Sequence, residues 1–302
     1  MKIAITGASG FIGRILADHL WTRRHHLVLL SRKPPRSSNL TQQKWIAWNP
    51  GAPGDWEQAI EGVDGIINLA GEPIAAKRWS DLQKEKIRSS RIESTKALVR
   101  AIAKAKQKPK FLISSSAVGY YGARGDETVT EETAPGHDYL SRVCVDWERE
   151  ASNAESYDVR VVLVRTGIVL DKGKGALAKM VVPFKCFVGG PLGSGNQWMP
   201  WIHIEDQIAL LLFLLENQSA RGPFNATAPN PVTMTEFCKT LGTVLNRPSW
   251  ASVPESMLTL LVGEMAEMLL NGQRAVPQAA MKLGYEFKYP YLLPALESLH
   301  LR

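Results

Sequence analysis

The stretch Gly7-Ala-Ser-Gly10-Phe-Ile-Gly13 constrains this chain more than any other part of it. It follows directly on the apolar run Lys2–Thr6 and opens into a helical pattern at Ile12, Ile15, Leu16 and Leu20. A strand that passes through closely spaced glycines into a helix presents unpaired backbone N–H groups at the helix N-terminus, where a pyrophosphate can be held. The spacing is GxxGxxG, one residue wider in its first gap than GxGxxG. The physical requirements are the same: a tight turn, close backbone approach, and helix–strand packing without a side chain between. A purely structural turn is the alternative reading.

Short apolar runs recur at residues 27–30, 65–69, 111–114 and 159–165. Between them lie helical patterns, the longest over about residues 80–106 and another over 138–151. Strands alternating with long helices predict an α/β fold, a doubly wound parallel sheet of Rossmann type covered on both faces. Residues 205–216 read as a buried helix and 224–226 as a last strand. After Leu170 the rhythm changes: glycines cluster at 173–175, 189–190 and 193–195, and beyond Pro229 short helices at 234–245 and 257–270 alternate with Pro and Gly. The expected organisation is a dinucleotide-binding domain over 1–170, completed by about 200–228, with 171–199 and 229–302 forming a smaller C-terminal substrate lobe.

The end of the second strand discriminates between dinucleotides. An NAD site places Asp or Glu there to accept from the ribose 2′-hydroxyl, whereas this chain reads Ser31-Arg32-Lys33. Arg and Lys can pair with a 2′-phosphate, and a guanidinium can also lie flat against adenine. NADP(H) is the expected cofactor. A solvated basic loop before Pro34-Pro35 would leave the choice open.

Composition narrows the rest. With 302 residues, 45% hydrophobic and 22% charged, the chain is globular in type. Its formal net charge of +7 raises nucleic acid as a partner, but the basic residues are dispersed and no aromatic RNA-binding motif accompanies them. A small-molecule substrate is expected, with no nucleic acid; a homodimer stays open. The longest apolar run, 208–215, ends at Glu216, far short of the ~20 residues a membrane span needs. The N-terminus enters a strand without an apolar leader. Cys144, Cys186 and Cys238 are far apart and not in CxxC spacing, which points to a reducing compartment without disulfide or zinc site. His25-His26 lack partners at metal-ligand spacing, so no metal is expected. Together these point to the cytoplasm.

The same residues, with Asn68-Leu-Ala-Gly71 after the third strand and Ser114-Ser-Ser-Ala117 after the fourth, resemble the extended short-chain dehydrogenase/reductase family. The nearer resemblance is to its atypical NAD(P)-dependent epimerase, or sugar-nucleotide epimerase, branch with a small C-terminal domain. That branch is marked here by Asn68–Glu72, Ser90-Arg91-Ile92, Gly190-Pro-Leu-Gly-Ser-Gly195, Trp198-Met-Pro-Trp201-Ile-His203 and Gly272-Gln-Arg-Ala-Val-Pro277. The resemblance implies that Gly7, Gly10, Phe11, Ile12 and Gly13 hold the pyrophosphate. It implies Ser31 and Arg32 at the 2′-phosphate and Leu69 and Ala70 along the nicotinamide-side ribose. Arg91 would reach toward the cofactor and Val169 would line the nicotinamide pocket.

The family's usual catalyst is a Tyr with a Lys four residues later, plus an upstream Ser. A nearby ammonium brings a phenol down from its usual pKa near 10 so that it can exchange a proton. Ser116 can supply the upstream hydroxyl, but the pair is absent: Tyr139 is followed four residues later by Val143. Alignment on Glu148 instead puts Leu140 and Cys144 at the two positions. Three readings remain open. Tyr121 or its neighbour Tyr120 is the acid; Tyr139 acts with a cation from elsewhere, such as Lys86 or Arg91; or the site binds the nucleotide as a sensor or regulator without turnover. Ser116, Tyr121 and Tyr139 are therefore the catalytic candidates. Glu72 could be a carboxylate acid/base or cap a turn. His203 reads as a core histidine, and Trp198 and Trp201 as either packing or a stacking surface.

Overall fold

The computed structural model describes residues 1–35 and 43–301. The first half of the chain alternates as the periodicity requires: β1 (Lys2–Thr6), α1 (Phe11–Thr22), β2 (His26–Ser31), β3 (Gln43–Ala47), α2 (Asp55–Ile60), β4 (Gly65–Asn68), α3 (Asp81–Lys104) and β5 (Phe111–Ala117). Then follow β6 (Thr128–Val129), α4 (Tyr139–Ser152), β7 (Arg160–Thr166), β8 (Ile168–Leu170), α5 (Gly175–Lys185), β9 (Trp198–Met199), β10 (Trp201–His203), α6 (Ile204–Glu216) and β11 (Gly222–Ala226). The C-terminal part holds β12 (Val232–Thr233), α7 (Met234–Leu245), α8 (Glu255–Val262), α9 (Met265–Leu270), β13 (Arg274–Ala275), α10 (Gln278–Lys282) and α11 (Leu292–Ser298).

Seven strands form one sheet in the order β11-β7-β5-β4-β1-β2-β3, and every pair in it is parallel. This is the doubly wound Rossmann arrangement. The strand order reverses between β1 and β4, and a crevice opens at the carboxyl ends of the strands there. Successive side chains point to opposite faces and build two cores. Ile3, Ile5, Leu27, Leu29, Ile67 and Ile113 pack with α1 and α6, whereas Ala4, Val28, Leu30, Ile66, Leu112 and Val161 pack with α2 and α3. The first core continues without a break into Phe237, Leu241 and Leu296, so the C-terminal helices share it.

Among the local features that escaped the sequence reading, three have a clear physical cause. β3 is an edge strand buried only at Ile46, so Gln43-Lys-Trp-Ile-Ala47 has no apolar run to betray it. The helical pattern over 257–270 is two helices, broken at Gly263-Glu264. Within the Gly-rich stretch after Leu170 lies α5.

The C-terminal segment is tied to the sheet by backbone as well as by packing. β13 pairs with β6, Asn225 Nδ2 donates to Val276 O at 2.9 Å, and Thr227 Oγ1 donates to Ala275 O at 3.2 Å. The buried Asp206 carboxylate accepts from the N–H groups of Lys288 and Tyr289, both at 2.8 Å. Among the described residues no helix is long and apolar enough to cross a membrane.

Candidate functional site

The crevice is floored by the glycine turn. Gly7 has φ +69°, and a Cβ on it would come within 2.6 Å of Leu69 O; a Cβ on Gly13 would lie 2.3 Å from Gly7 O. Both positions therefore need glycine for β1, β4 and α1 to close on one another. Gly10 is the N-cap of α1, donating its N–H to Gly7 O at 2.9 Å, and neither a side-chain cap nor an acidic residue occupies the first turn. The positive end of α1 is left open at the switch point. Ile12 packs on the core beneath. From the other side the turn between β8 and α5 closes in: a Cβ on Gly175 would lie 3.4 Å from the Phe11 ring and 3.3 Å from Val169 O. The structure so brings Gly7, Gly10, Phe11, Gly13, Leu69 and Val169 around one helix end. Gly175 belongs with them and was missed; its cue was the change of rhythm after Leu170.

At the end of β2, Ser31 is buried and its Oγ accepts from Lys33 N at 3.3 Å, while Arg32 and Lys33 are exposed. Arg36, part of the same basic cluster in the sequence, lies outside the described residues. Leu69 and Ala70, half-buried, continue β4 over a polar knot. There Asn68 Oδ1 accepts from Thr6 Oγ1 at 2.7 Å, and Asn68 Nδ2 donates to Thr95 Oγ1 at 2.8 Å and to Ser114 Oγ at 3.2 Å. Trp147 Nε1 joins at Thr95 Oγ1, 3.0 Å away. The knot locks the carboxyl ends of β1, β4 and β5 to α3 and α4.

Ser116 and Tyr121 meet in a second buried network. Ser116 Oγ donates to Glu148 Oε1 at 2.6 Å, and the Glu148 carboxylate is gripped by Arg165 through Nε and Nη2, each at 2.8 Å. Arg165 Nη1 donates to Tyr121 Oη at 3.0 Å, and Tyr121 Oη donates to Asn225 Oδ1 at 2.7 Å. Glu131 closes the chain, accepting from Asn225 N at 2.9 Å and from Ala279 N at 3.1 Å. Tyr120 stacks its ring over the Arg165 guanidinium, 3.5 Å from the centroid. Tyr121 is wholly inaccessible, and its burial pushes the phenol up to about 12 despite the opposing charge of Arg165. Burial alone would lower the Arg165 pKa; the hydrogen bonds and charge of Glu148 outweigh it and raise it. Glu148, Arg165, Glu131 and Asn225 were not anticipated. The available cue was a charged residue closing the otherwise apolar strand Val-Val-Leu-Val-Arg165, which must find a partner.

Tyr139 stands apart. It lies at the start of α4, half-buried, with its hydroxyl donated to Lys84 O at 2.5 Å and its ring edge-on to Trp79. Burial raises its pKa, and the charge of Arg91 works against that rise. Cys144 is buried between the two groups: its thiol, pushed up to about 12 by burial, touches Ser116 and the Ala117 backbone and feels the charge of Arg91. Arg91 Nη1 donates to Glu72 O at 3.0 Å and Ile87 O at 2.9 Å, with the guanidinium 5.2 Å from the Trp147 ring centroid. Glu72 N donates to Ser90 Oγ at 2.9 Å, so Glu72 is clasped by its backbone. Lys86 is exposed.

The remaining candidates are placed plainly. His203 is buried, its Nδ1 accepting from Glu205 N at the start of α6 and its ring against Tyr289. Trp201 is core, while Trp198 is half-buried with Arg274 over its ring and Nε1 donated to Asp126. Among the described residues no group of three His, Cys, Asp or Glu could hold a metal ion.

A model of the NAD dependent epimerase/dehydratase family matches residues 3–226, and a model of a domain of unknown function (DUF1731) matches residues 253–299. The epimerase family protein SDR39U1 homolog, chloroplastic, of Arabidopsis thaliana is 43% identical over 305 residues, covering 99% of this chain and 86% of that protein. The epimerase family protein YfhF of Bacillus subtilis is 42% identical over 302 residues, covering 99% of this chain and 98% of its own. The crystal structure of human epimerase family protein SDR39U1 (isoform 2) with NADPH superimposes with a TM-score of 0.87 at 32% identity, covering 99% of each chain. The chain belongs to the NAD dependent epimerase/dehydratase family, as an atypical extended short-chain dehydrogenase/reductase with a small C-terminal domain.

Proposed function

We propose that this protein binds NADP(H) and works as an oxidoreductase or epimerase on a small polar or nucleotide-linked substrate, held between the sheet and the lobe of residues 171–199 and 229–302. The observation that carries the reading is the open N-terminus of α1 over Gly7–Gly13, together with Ser31-Arg32-Lys33 where an NAD site would place a carboxylate. The NADPH in the human relative supports the choice of dinucleotide.

In this reading the backbone of Gly10, Phe11, Ile12 and Gly13 receives the pyrophosphate, and Ser31 and Arg32 receive the 2′-phosphate. Leu69, Ala70 and Val169 flank the nicotinamide half, with Arg91 behind it. NADP(H), when bound, supplies or accepts a hydride. Ser116, its proton engaged by Glu148, is the upstream hydroxyl of this reading. Tyr139 is the tyrosine we assign to proton exchange, because burial raises its pKa while the charges of Arg91, Lys84 and Arg88 act against that rise. Tyr121, sealed in its network, positions Arg165 instead. An alignment on Glu148, which puts Leu140 and Cys144 at the family's Tyr and Lys positions, favours a second reading, a NADP(H)-binding sensor or regulator without turnover.

Titration with NADPH and NADH tests the cofactor half: tighter NADPH binding is expected, and an NADH preference or no binding would overturn it. NADPH oxidation across a panel of carbonyl compounds, lost in Ser116→Ala and in Tyr139→Phe, supports an enzyme. Dinucleotide binding without any turnover supports the sensor.

A further inference from the structure

The last turn of α7 and the loop after it form an open hollow of about 670 Å³, lined by Lys239, Arg247 and Ser249 and by no carboxylate. Two chain segments meet here, residues 172–204 with α5 and residues 237–254 with the end of α7. Neither contains an Asp or Glu, whereas Lys172, Lys174, Lys179, Lys185, Lys239 and Arg247 fall within them.

Cations beside a helix C-terminus often serve only its dipole and its free carbonyls. Here the backbone caps the helix itself: Asn246, in the left-handed region, donates its N–H to Thr243 O at 3.1 Å, and Arg247 N donates to Gly242 O at 2.8 Å. Of the Arg247 guanidinium, Nη1 is used, on the Asn246 carbonyl at 2.9 Å. Arg247 Nε and Ser249 Oγ are buried atoms without a hydrogen-bond partner among the described residues, and the exposed Lys239 makes no ion pair among them. Buried polar atoms are almost always paired, with an ion or an ordered water where the protein supplies nothing. A guanidinium fork, an ammonium and a hydroxyl together match a tetrahedral oxyanion.

The rim of the hollow is apolar and strained. The Phe187 ring centroid lies 4.5 Å from Arg247 Cζ and holds the fork in place. Phe187 has φ +64°, a conformation that costs a residue with a bulky side chain about 1–2 kcal/mol, yet its side chain is 53% exposed. Trp250, 69% exposed, donates Nε1 to Phe187 O at 3.0 Å, and Val188 is exposed beside them in the chain. Burial in the core does not account for this rim.

We propose that the hollow is a second ligand site, which takes a phosphoryl group on Arg247, Lys239 and Ser249 and rests the apolar part of the same molecule on Phe187 and Trp250. The ligand is a phosphomonoester, either free in solution or the headgroup of an anionic lipid. The site is separate from the crevice: α5 runs between them, with Gly175 beside Phe11 at one end and Phe187 just past the other, about 16 Å of helix apart. The proposal therefore does not depend on the NADP(H) reading.

The test uses the intact chain with NADP⁺ present. Phenyl phosphate and inorganic phosphate are titrated by calorimetry, and vesicles of phosphatidylcholine, alone or mixed with phosphatidic acid, are followed by sedimentation. Saturable binding of phenyl phosphate, tighter than that of inorganic phosphate and weakened at least about tenfold in Arg247→Gln, supports the site with a soluble ligand. Cosedimentation with the phosphatidic acid vesicles but not with phosphatidylcholine alone, lost in Arg247→Gln and in Trp250→Ser, supports it with a lipid headgroup. Absence of both overturns the proposal, as does binding that Arg247→Gln leaves within about threefold of wild type. NADPH affinity should stay within about threefold in Arg247→Gln, and a loss parallel to that of the probe would place the probe in the crevice and overturn the proposal. Failure of NADP⁺ to bind would count against the reading of the crevice and leave the Arg247 comparison intact. If Arg247→Gln does not fold, Lys239→Glu at the exposed rim decides: binding weakened at least about threefold supports the site, and unchanged binding overturns it.

Discussion

Arg165 and Glu148 form a bidentate ion pair, two hydrogen bonds of 2.8 Å between side chains only 4% and 9% exposed. A residue from β7 is thereby clamped to one from α4, and Ser116 and Tyr121 hang on either end. Removing one partner strands a buried charge. Arg165→Met is expected to cost about 3–5 kcal/mol in urea denaturation, whereas Arg165→Met with Glu148→Leu recovers most of it. A single variant within about 1 kcal/mol of wild type would show that the pair is not desolvated.

Gly13→Ala places a methyl group 2.3 Å from Gly7 O. Either α1 shifts or the turn opens, and both move the N–H groups assigned to the pyrophosphate. NADPH affinity measured by fluorescence titration should fall by at least about tenfold, with stability lowered by about 1–3 kcal/mol. Retained affinity would separate the turn from dinucleotide binding.

Arg32 is exposed beside the buried Ser31. Arg32→Ala is expected to weaken NADPH by about tenfold or more and NADH by much less, because only the former carries the 2′-phosphate. Parallel losses would argue against a phosphate clamp.

Tyr121→Phe removes a hydroxyl that both accepts from Arg165 and donates to Asn225. The expected effect is a loss of about 1–3 kcal/mol of stability with NADPH affinity unchanged. Tyr139→Phe, whose hydroxyl meets only a main-chain carbonyl, should leave stability nearly intact and lower turnover. The reverse pattern in melting and NADPH-oxidation assays would exchange the two assignments.

Burial lowers the pKa of His203 from 6.5. The unfolded chain then takes up a proton that the folded one resists, so this residue's stability contribution is complete above pH 6.5 and falls as the pH drops below it. The difference in unfolding free energy between wild type and His203→Gln should therefore shrink on acidification from pH 7.5 toward about 5.5. A pH-independent difference would place the imidazole in solvent in the folded state.

The cofactor half of the site was legible in the sequence because its information is local. Gly7–Gly13 sits within a single strand–turn–helix unit, and Ser31-Arg32 ends the next strand, so residue order alone places them at the crevice once the sheet is parallel. Continuous apolar runs likewise placed the interior strands, whereas the half-exposed β3 gave no such signal. The chemistry-bearing end was decided by tertiary structure. Glu148, Arg165, Tyr121, Asn225 and Glu131 come from five segments between residues 121 and 225, and no local pattern pairs them. What joins them is the cost of burying charge and hydroxyl groups, which only the closed sheet and its covering helices impose.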